Sequence, residues 1–239
     1  MPPPRTPDTR PPVLLLAAHA LAAPPLPQVA AEGFALSLAL SASEATDTLV
    51  DTECAPGGNC EALRHRGGWG GTLGLQITPV LGAWLHLGTE TVSVQQAEFS
   101  GEGFAGDGGV LLNLRPDAPV GATVWASGIY GYSQSTGSNT ARRWGLRAGG
   151  AARFGVPDDQ FVSWVGSEFV VNGDDELSVL SSTVSVPLAA PIPANLVAGF
   201  SLLGESMSGL GTAGPRLFLA GDVSVGAESA IRISLGSSF

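Results

Sequence analysis

The chain of 239 residues ends on a segment in which apolar and polar residues alternate as far as the last residue. One parity of this segment holds Ile231, Ile233, Leu235 and Phe239, and the other holds Arg232 with small residues. Such alternation predicts a β-strand whose two faces meet different surroundings. A strand with one apolar face and one wet face suits the wall of a transmembrane β-barrel, which has lipid outside and a lumen inside.

The segment resembles the closing strand of bacterial outer-membrane β-barrel proteins, whose assembly machinery recognises a terminal Phe preceded by alternate apolar residues. The resemblance implies a terminal assembly signal that consists of Ile231, Ile233, Leu235 and Phe239. It also implies an all-β fold, an antiparallel up-and-down transmembrane barrel in a Gram-negative outer membrane. The expected partners are therefore outer-membrane lipid, lipopolysaccharide and the barrel-assembly machinery.

The first 31 residues have the pattern of a secretory signal peptide. Arg5 and Arg10 precede a short apolar stretch at 13–23, and small residues at 29–31 offer a cleavage site, with cleavage after Ala23 as the competing possibility. The apolar stretch is too short to cross a bilayer as a helix. We expect residues 1–31 to be removed on export and residues 32–239 to form one barrel domain.

The composition excludes some classes of function. Removal of residues 1–31 takes away Arg5, Arg10 and Asp8, so the formal charge changes from -10 to -11. A net acidic chain is a poor candidate for nucleic-acid binding. A secreted β-sandwich has the same alternating strands, but charged residues at 13% are too few to coat its surface comfortably.

The two cysteines lie close together in a loop-like sequence. Cys54 and Cys60 flank a Pro-Gly-Gly turn, and in an exported protein such a pair favours a disulfide. A metal site is the alternative, but two thiols with only His65 nearby fall short of a closed zinc shell. We predict a disulfide and no metal or cofactor.

Eleven alternating runs follow one another from residue 34 to the C-terminus, each about as long as a tilted membrane-spanning strand. Segments 44–68, 101–108 and 172–175 are polar or glycine-rich and are predicted to be loops. A bacterial barrel with both termini in the periplasm needs an even number of strands. We expect the weak segment 206–213 to supply a twelfth strand, with ten or eight strands as alternatives.

When the apolar parity is assigned to lipid, a set of polar residues is left to face the lumen. Small neighbours favour an open, water-lined lumen over one plugged by ion pairs, although both remain possible. Tryptophans in the runs are candidates for anchors at the membrane interface: Trp69, Trp84, Trp125, Trp144 and Trp164. The predicted lumen-facing residues are Gln76, His86, Glu90, Asn113, Arg115, Arg147, Arg153, Glu168, Asp222 and Arg232.

The sequence gives little support for an enzyme. His86 and Glu90 share a strand face, but four residues along a strand separate them by about 13 Å, too far for a direct general-base pair. Serine is abundant, and none has a histidine partner in a recognisable local motif. The acidic residues within 44–61 match no calcium-loop spacing, so we predict a solvated loop.

The leading hypothesis is a passive, porin-like channel for small polar solutes. The alternative is a non-conducting structural or adhesive surface barrel that acts through its extracellular loops. A third hypothesis is an outer-membrane lipid or peptide hydrolase.

Overall fold

The computed structural model describes residues 35–50, 61–95, 99–135, 139–155, 160–179, 182–187, 194–206, 215–226 and 228–239. The predicted signal peptide and the Cys54–Cys60 pair lie outside the described residues. Within the part of the chain that is described, no helix is long and apolar enough to cross a membrane.

The described residues form eleven β-strands that make one closed sheet. Each strand is antiparallel to its neighbours, and β1 pairs with both β2 and β11, which closes the sheet into a barrel. The strands are β1 (Ala35–Val50), β2 (Glu61–Gln76), β3 (Leu81–Val94), β4 (Phe99–Leu114), β5 (Val120–Gln134), β6 (Thr140–Phe154), β7 (Phe161–Val179), β8 (Ser182–Pro187), β9 (Ala194–Ser206), β10 (Arg216–Gly226) and β11 (Glu228–Ser238).

The wall of the barrel has ten strand positions, because β8 and β9 share one. The first part of β7, from Phe161 to Phe169, pairs with β9, and its last part, from Asp174 to Val179, pairs with β8. The alternative of ten strands is therefore confirmed, and the preferred count of twelve is wrong. The predicted loop at 172–175 lies inside β7, so the run before it and the residues after it as far as Val179 belong to one strand. Segment 206–213, expected to supply a twelfth strand, lies outside the described residues except for Ser206, and β9 and β10 pair directly with each other.

Two other segments predicted to be loops are largely strand. β1 continues to Val50 and β2 begins at Glu61, whereas the predicted loop covered 44–68. Segment 101–108 lies within β4. The described parts of segment 44–68 and residues 101–103 extend beyond the lipid-facing band, where a strand needs no apolar face, so the alternation that marks a strand in sequence is missing there. Residues 104–108 lie at or within the band, and glycines at 106 and 108 take outward positions that elsewhere hold apolar side chains.

The barrel has two distinct ends. At one end, which we call the turn end, lie the connections 77–80 and 115–119, residues Gly155 and Gln160, and both ends of the described chain. Leu36 and Phe239 exchange two backbone hydrogen bonds there, of 3.2 and 2.8 Å, which close the wall. We call the opposite end the loop end.

Two aromatic belts border an apolar band on the outer surface. Near the loop end, Phe104 stacks on Tyr130 with ring centroids 5.8 Å apart, and Trp144 lies beside them on β6. Near the turn end lie Phe154 and Phe161, both exposed. Ten residues separate Trp144 from Phe154, which corresponds to about 33 Å along the strand, or about 25 Å across a membrane at the usual tilt.

Between the belts, the outward residues of the described strands include no Asp, Glu, Arg or Lys. Large apolar side chains are exposed all around this band; examples are Leu40, Leu87, Leu146, Val165, Leu196 and Ile233. This band has the height and chemistry that lipid contact requires.

Candidate functional site

The lumen is the candidate functional site, since it collects almost all of the polar side chains predicted to face inward. Nine of those ten side chains are buried inside the barrel: Gln76, His86, Glu90, Asn113, Arg147, Arg153, Glu168, Asp222 and Arg232. The expectation for Arg115 is wrong. β4 ends at Leu114, and Arg115 is exposed in the following turn with a φ of 55°, so the parity of the strand no longer applies to it.

At the turn end, inward polar side chains clamp the turns. The Gln76 side-chain amide donates to the carbonyl oxygens of Thr78 and Leu81. Asn113 Oδ1 accepts a hydrogen bond of 2.8 Å from the Thr123 hydroxyl. These contacts fix the turn geometry and narrow this end of the lumen.

Arg153 clamps two turns at once. Its guanidinium donates to the carbonyl oxygens of Gly155 at 2.5 Å, Arg115 at 3.1 Å and Pro116 at 2.9 Å. The side chain thereby joins the β4–β5 turn to the end of β6. Arg153 thus has a structural role at the turn end.

A layer of tryptophan rings fills the lumen above these clamps. Trp84, Trp125 and Trp164 point inward with exposures of 5, 5 and 4%, and they form a buried apolar cluster with Leu111, Ala151 and Val197. The expectation of interface anchors is therefore wrong for these three. Trp69 and Trp144 do lie on the outer surface.

Each inward tryptophan lies over a glycine of the next wall strand. The rings of Trp84, Trp125 and Trp164 occupy the space that a side chain would need at the paired position, which is respectively Gly109, Gly149 and Gly199. The flat rings can therefore turn sideways along the wall while their indole N–H groups reach into the lumen.

Ion pairs and indole hydrogen bonds lie among the tryptophans. Arg147 contacts Glu168 at 2.9 Å, and Arg232 contacts Asp222 at 3.0 Å. Glu168 also accepts a hydrogen bond of 3.2 Å from Trp125 Nε1. Charges enclosed at this height are thus paired or hydrogen-bonded, as burial away from bulk water requires.

His86 and Glu90 do not come together. His86 Nδ1 lies 2.8 Å from the Thr72 hydroxyl and 3.4 Å from the Ser41 hydroxyl. Glu90 lies 3.4 Å from the Ser133 hydroxyl on β5. Among the described residues, no group of three or more His, Cys, Asp or Glu side chains is placed to hold a metal ion.

A cluster of charges near the loop end, which we call the mouth cluster, was missed in the sequence. It consists of Asp47, Arg64, Arg66 and Asp175. Arg64 contacts Asp47 at 2.6 Å and Asp175 at 2.5 Å, and Arg66 contacts Asp47 at 3.0 Å. All four residues fell in segments predicted to be loops: Asp47, Arg64 and Arg66 in segment 44–68, and Asp175 in segment 172–175.

A β-bulge in β7 explains why Asp175 faces inward. Leu146 and Arg147 are consecutive on β6, but their partners on β7 are Asn172 and Val170, so Val171 is an extra residue. Below the bulge the even-numbered residues of β7 face inward, as Glu168 does. Above the bulge the odd-numbered residues face inward, and Asp175 is one of them. A bulge of this kind leaves no clear pattern in the sequence.

An apolar cap lies beside the mouth cluster at the loop end. Val92, Val94, Phe99 and Ala141 are buried together there, and Leu177 packs against them. In the described structure the lumen is therefore filled by side chains at the turn end, at the tryptophan layer and at the mouth.

A closed antiparallel barrel with ten wall strands, an outward apolar band between aromatic belts and a polar interior is the architecture of outer-membrane β-barrel proteins. No family model matches the sequence. A search of curated proteins likewise finds no match.

Solved structures do give matches, and two of them are hydrocarbon channels. The TodX deltaS2S3 mutant monoaromatic hydrocarbon channel matches with a TM-score of 0.26 and 10% identity, over 88% of this chain and 91% of that chain. The TodX monoaromatic hydrocarbon channel deltaS2 mutant matches with a TM-score of 0.27 and 10% identity, over 87% and 90%. The matches cover most of both chains, but at these TM-scores the structural likeness is weak, and the class of protein follows from the barrel's own geometry.

Proposed function

We propose that the protein is an outer-membrane channel for small polar solutes, closed in the described state by side chains of its own wall. The turn end faces the periplasm and the loop end faces the outside, as short turns usually lie on the periplasmic side. Residues 1–31 direct export, and the terminal strand with Phe239 is presented to the assembly machinery. The outer wall contacts membrane lipid and lipopolysaccharide.

Buried polar atoms along the whole height of the lumen carry this proposal. Gln76 Oε1 and Asn113 Nδ2 near the turn end, Asp107 Oδ1 and Trp164 Nε1 at the tryptophan layer, and Asp175 Oδ2 at the mouth have no hydrogen-bond partner among the described residues. An unpaired buried polar atom costs about 1–3 kcal/mol, and water usually provides the missing hydrogen bond. Unpartnered polar atoms at every height of the lumen support a hydrated path for polar solutes.

Conductance in planar bilayers tests the channel. We expect the wild-type protein to give small, intermittent conductance steps. Replacement of two rings of the central layer, in the variant Trp125→Ala/Trp164→Ala, should raise the conductance of the open state severalfold, because both rings obstruct the lumen. Trp69→Ala is the matched control, since it removes an equally large ring from the outer surface. If neither the wild type nor the double variant gives conductance steps although both barrels are correctly folded, the proposed channel is contradicted.

The filled lumen favours a second candidate, the non-conducting surface barrel that acts through its loops. Residues 51–60, which follow β1 and precede β2 in sequence, carry the cysteine pair and lie outside the described residues. Replacement of 51–60 by a short turn should abolish binding to a surface partner, while the Arg64 ion pairs remain. The hydrolase hypothesis has its own test, loss of hydrolysis in His86→Ala.

A further inference from the structure

One ion pair of the mouth cluster joins opposite sides of the barrel. Arg64 on β2 and Asp175 on β7 are 111 residues apart in sequence, and their side chains meet at 2.5 Å. Around the wall, four strands separate β2 from β7 in each direction. The pair therefore joins opposite walls of the lumen, and Arg64 and Asp175 are each only 3% exposed. While the pair is formed, these two side chains obstruct the lumen at this height.

The part of β7 that carries Asp175 is the less supported part of the wall. Below the bulge, β7 lies between β6 and β9, which itself pairs with β10. Above the bulge its second neighbour is β8, and among the described residues β8 pairs with β7 alone. Displacement of the β7–β8 corner breaks only the pairing of β7 with β6 above the bulge, from Asp174 to Ser178, because β8 is an edge strand with no further partner among the described residues.

Arg64, by contrast, is fixed to the wall on its own side. Asp47 on the neighbouring strand β1 accepts hydrogen bonds from Arg64 Nε at 2.9 Å and from Arg64 Nη2 at 2.6 Å. When Asp175 moves away, Arg64 keeps this two-point pairing with Asp47. Breaking a buried ion pair usually costs much free energy because it leaves one charge buried and unpaired. Release of Asp175 avoids this cost for Arg64, which stays paired with Asp47.

We propose that Arg64 and Asp175 form the gate of the lumen at the loop end, with the upper part of β7 and β8 as the moving element. The proposal rests on the proposed function and names the residues that control entry. Opening carries Asp175 away with β7 and leaves Arg64 on the fixed wall. The gate admits solutes to the tryptophan layer, which is a separate barrier.

Cysteine labelling tests the gate without any measurement of conductance. Ile129 on β5 is buried inside the barrel. Gly131, two residues nearer the loop end on the same strand, is level with Arg143 and Asp175. A reagent from the loop end therefore has to pass the level of Asp175 to reach position 129. In a Cys54→Ser/Cys60→Ser background, Ile129→Cys is labelled on intact cells with a sulfonated maleimide. Asp175→Ala and Arg64→Gln should each speed labelling roughly tenfold, the effect of losing one charge-assisted hydrogen bond. Asp175→Glu should keep labelling slow.

Two controls separate the gate from general loosening of the barrel. Arg142→Gln removes a charge from the outer surface of β6, at the residue paired with Glu176 on β7, and should leave the labelling rate essentially unchanged. Thr123→Cys, buried near the turn end, reports reagent that arrives from the opposite side.

Equal labelling rates in wild type, Asp175→Ala and Arg64→Gln, with normal heat-modifiable gel migration, overturn the gate. Fast labelling in these variants without any conductance supports the gate and overturns the proposed channel.

Discussion

Glycines opposite the inward tryptophans set how the lumen is filled at the scale of single residues. At Gly149 a side chain would collide with the Trp125 ring and the Ser167 carbonyl. At Gly71 the outer surface leaves open space, and the nearest atom to an added Cβ is the Ala39 carbonyl oxygen at 3.9 Å. The two positions are both glycines within strands, yet they meet opposite packing demands.

Gly149→Ala and Gly71→Ala should therefore differ in stability. We expect Gly149→Ala to lower the free energy of unfolding by about 1–3 kcal/mol, because an overpacked side chain forces the ring from its place. Gly71→Ala should be neutral or slightly stabilising, since alanine reduces the entropy of the unfolded chain. Urea unfolding in lipid vesicles, followed by tryptophan fluorescence, measures both variants. Equal losses in the two variants contradict the packing explanation.

At the scale of elements, β7 shows where prediction from sequence succeeds and where it stops. The alternation from Phe161 to Phe169 indicates a strand, and the structure has one there. The acidic, glycine-containing segment 172–175 suggests a loop, but its backbone pairs with β6. A single extra residue at the bulge moves Asp175 into the lumen, and only the pairing with β6 reveals that residue. The same limit applies to Asp47 and Arg64, which lie on strands that extend beyond the lipid.

Deletion of Val171 tests the bulge. Because Val171 has no partner on β6, its removal should leave the pairing of the upper part of β7 with β6 intact, so Leu177 still faces inward and Glu176 still faces outward. In the cysteine-free background, the labelling rates of Leu177→Cys and Glu176→Cys should therefore be the same before and after the deletion. Exchange of the two rates after the deletion means that Val171 is not the extra residue.

At the scale of the whole molecule, the outer surface is the feature that sequence periodicity predicts best. The outward positions of the described strands form one apolar band between the belts. The aromatic residues of the belts are less predictable. Trp125 and Trp144 belong to similar alternating runs, yet one faces the lumen and the other faces outward.

A charge placed in this band should be far more harmful than the same charge outside it. Leu40 is 69% exposed between the belts, so Leu40→Arg should cost about 2–4 kcal/mol in folding into a bilayer. Glu102→Arg, on the exposed part of β4 beyond the belt of Phe104, is the control and should cost little. Unfolding titrations in vesicles compare the two. Similar costs in both variants contradict the assignment of the membrane band.

The sequence by itself determines the alternation of the strands, the lipid-facing parity and the closing strand that ends at Phe239, because these follow from the contact of each residue with lipid or water. The tertiary structure alone decides that the wall has ten strand positions and that three tryptophans lie over glycines. It also decides that Arg64 reaches Asp175 across the lumen. Those features depend on strand register and on contacts between residues far apart in sequence, about which the local pattern of one strand carries no information.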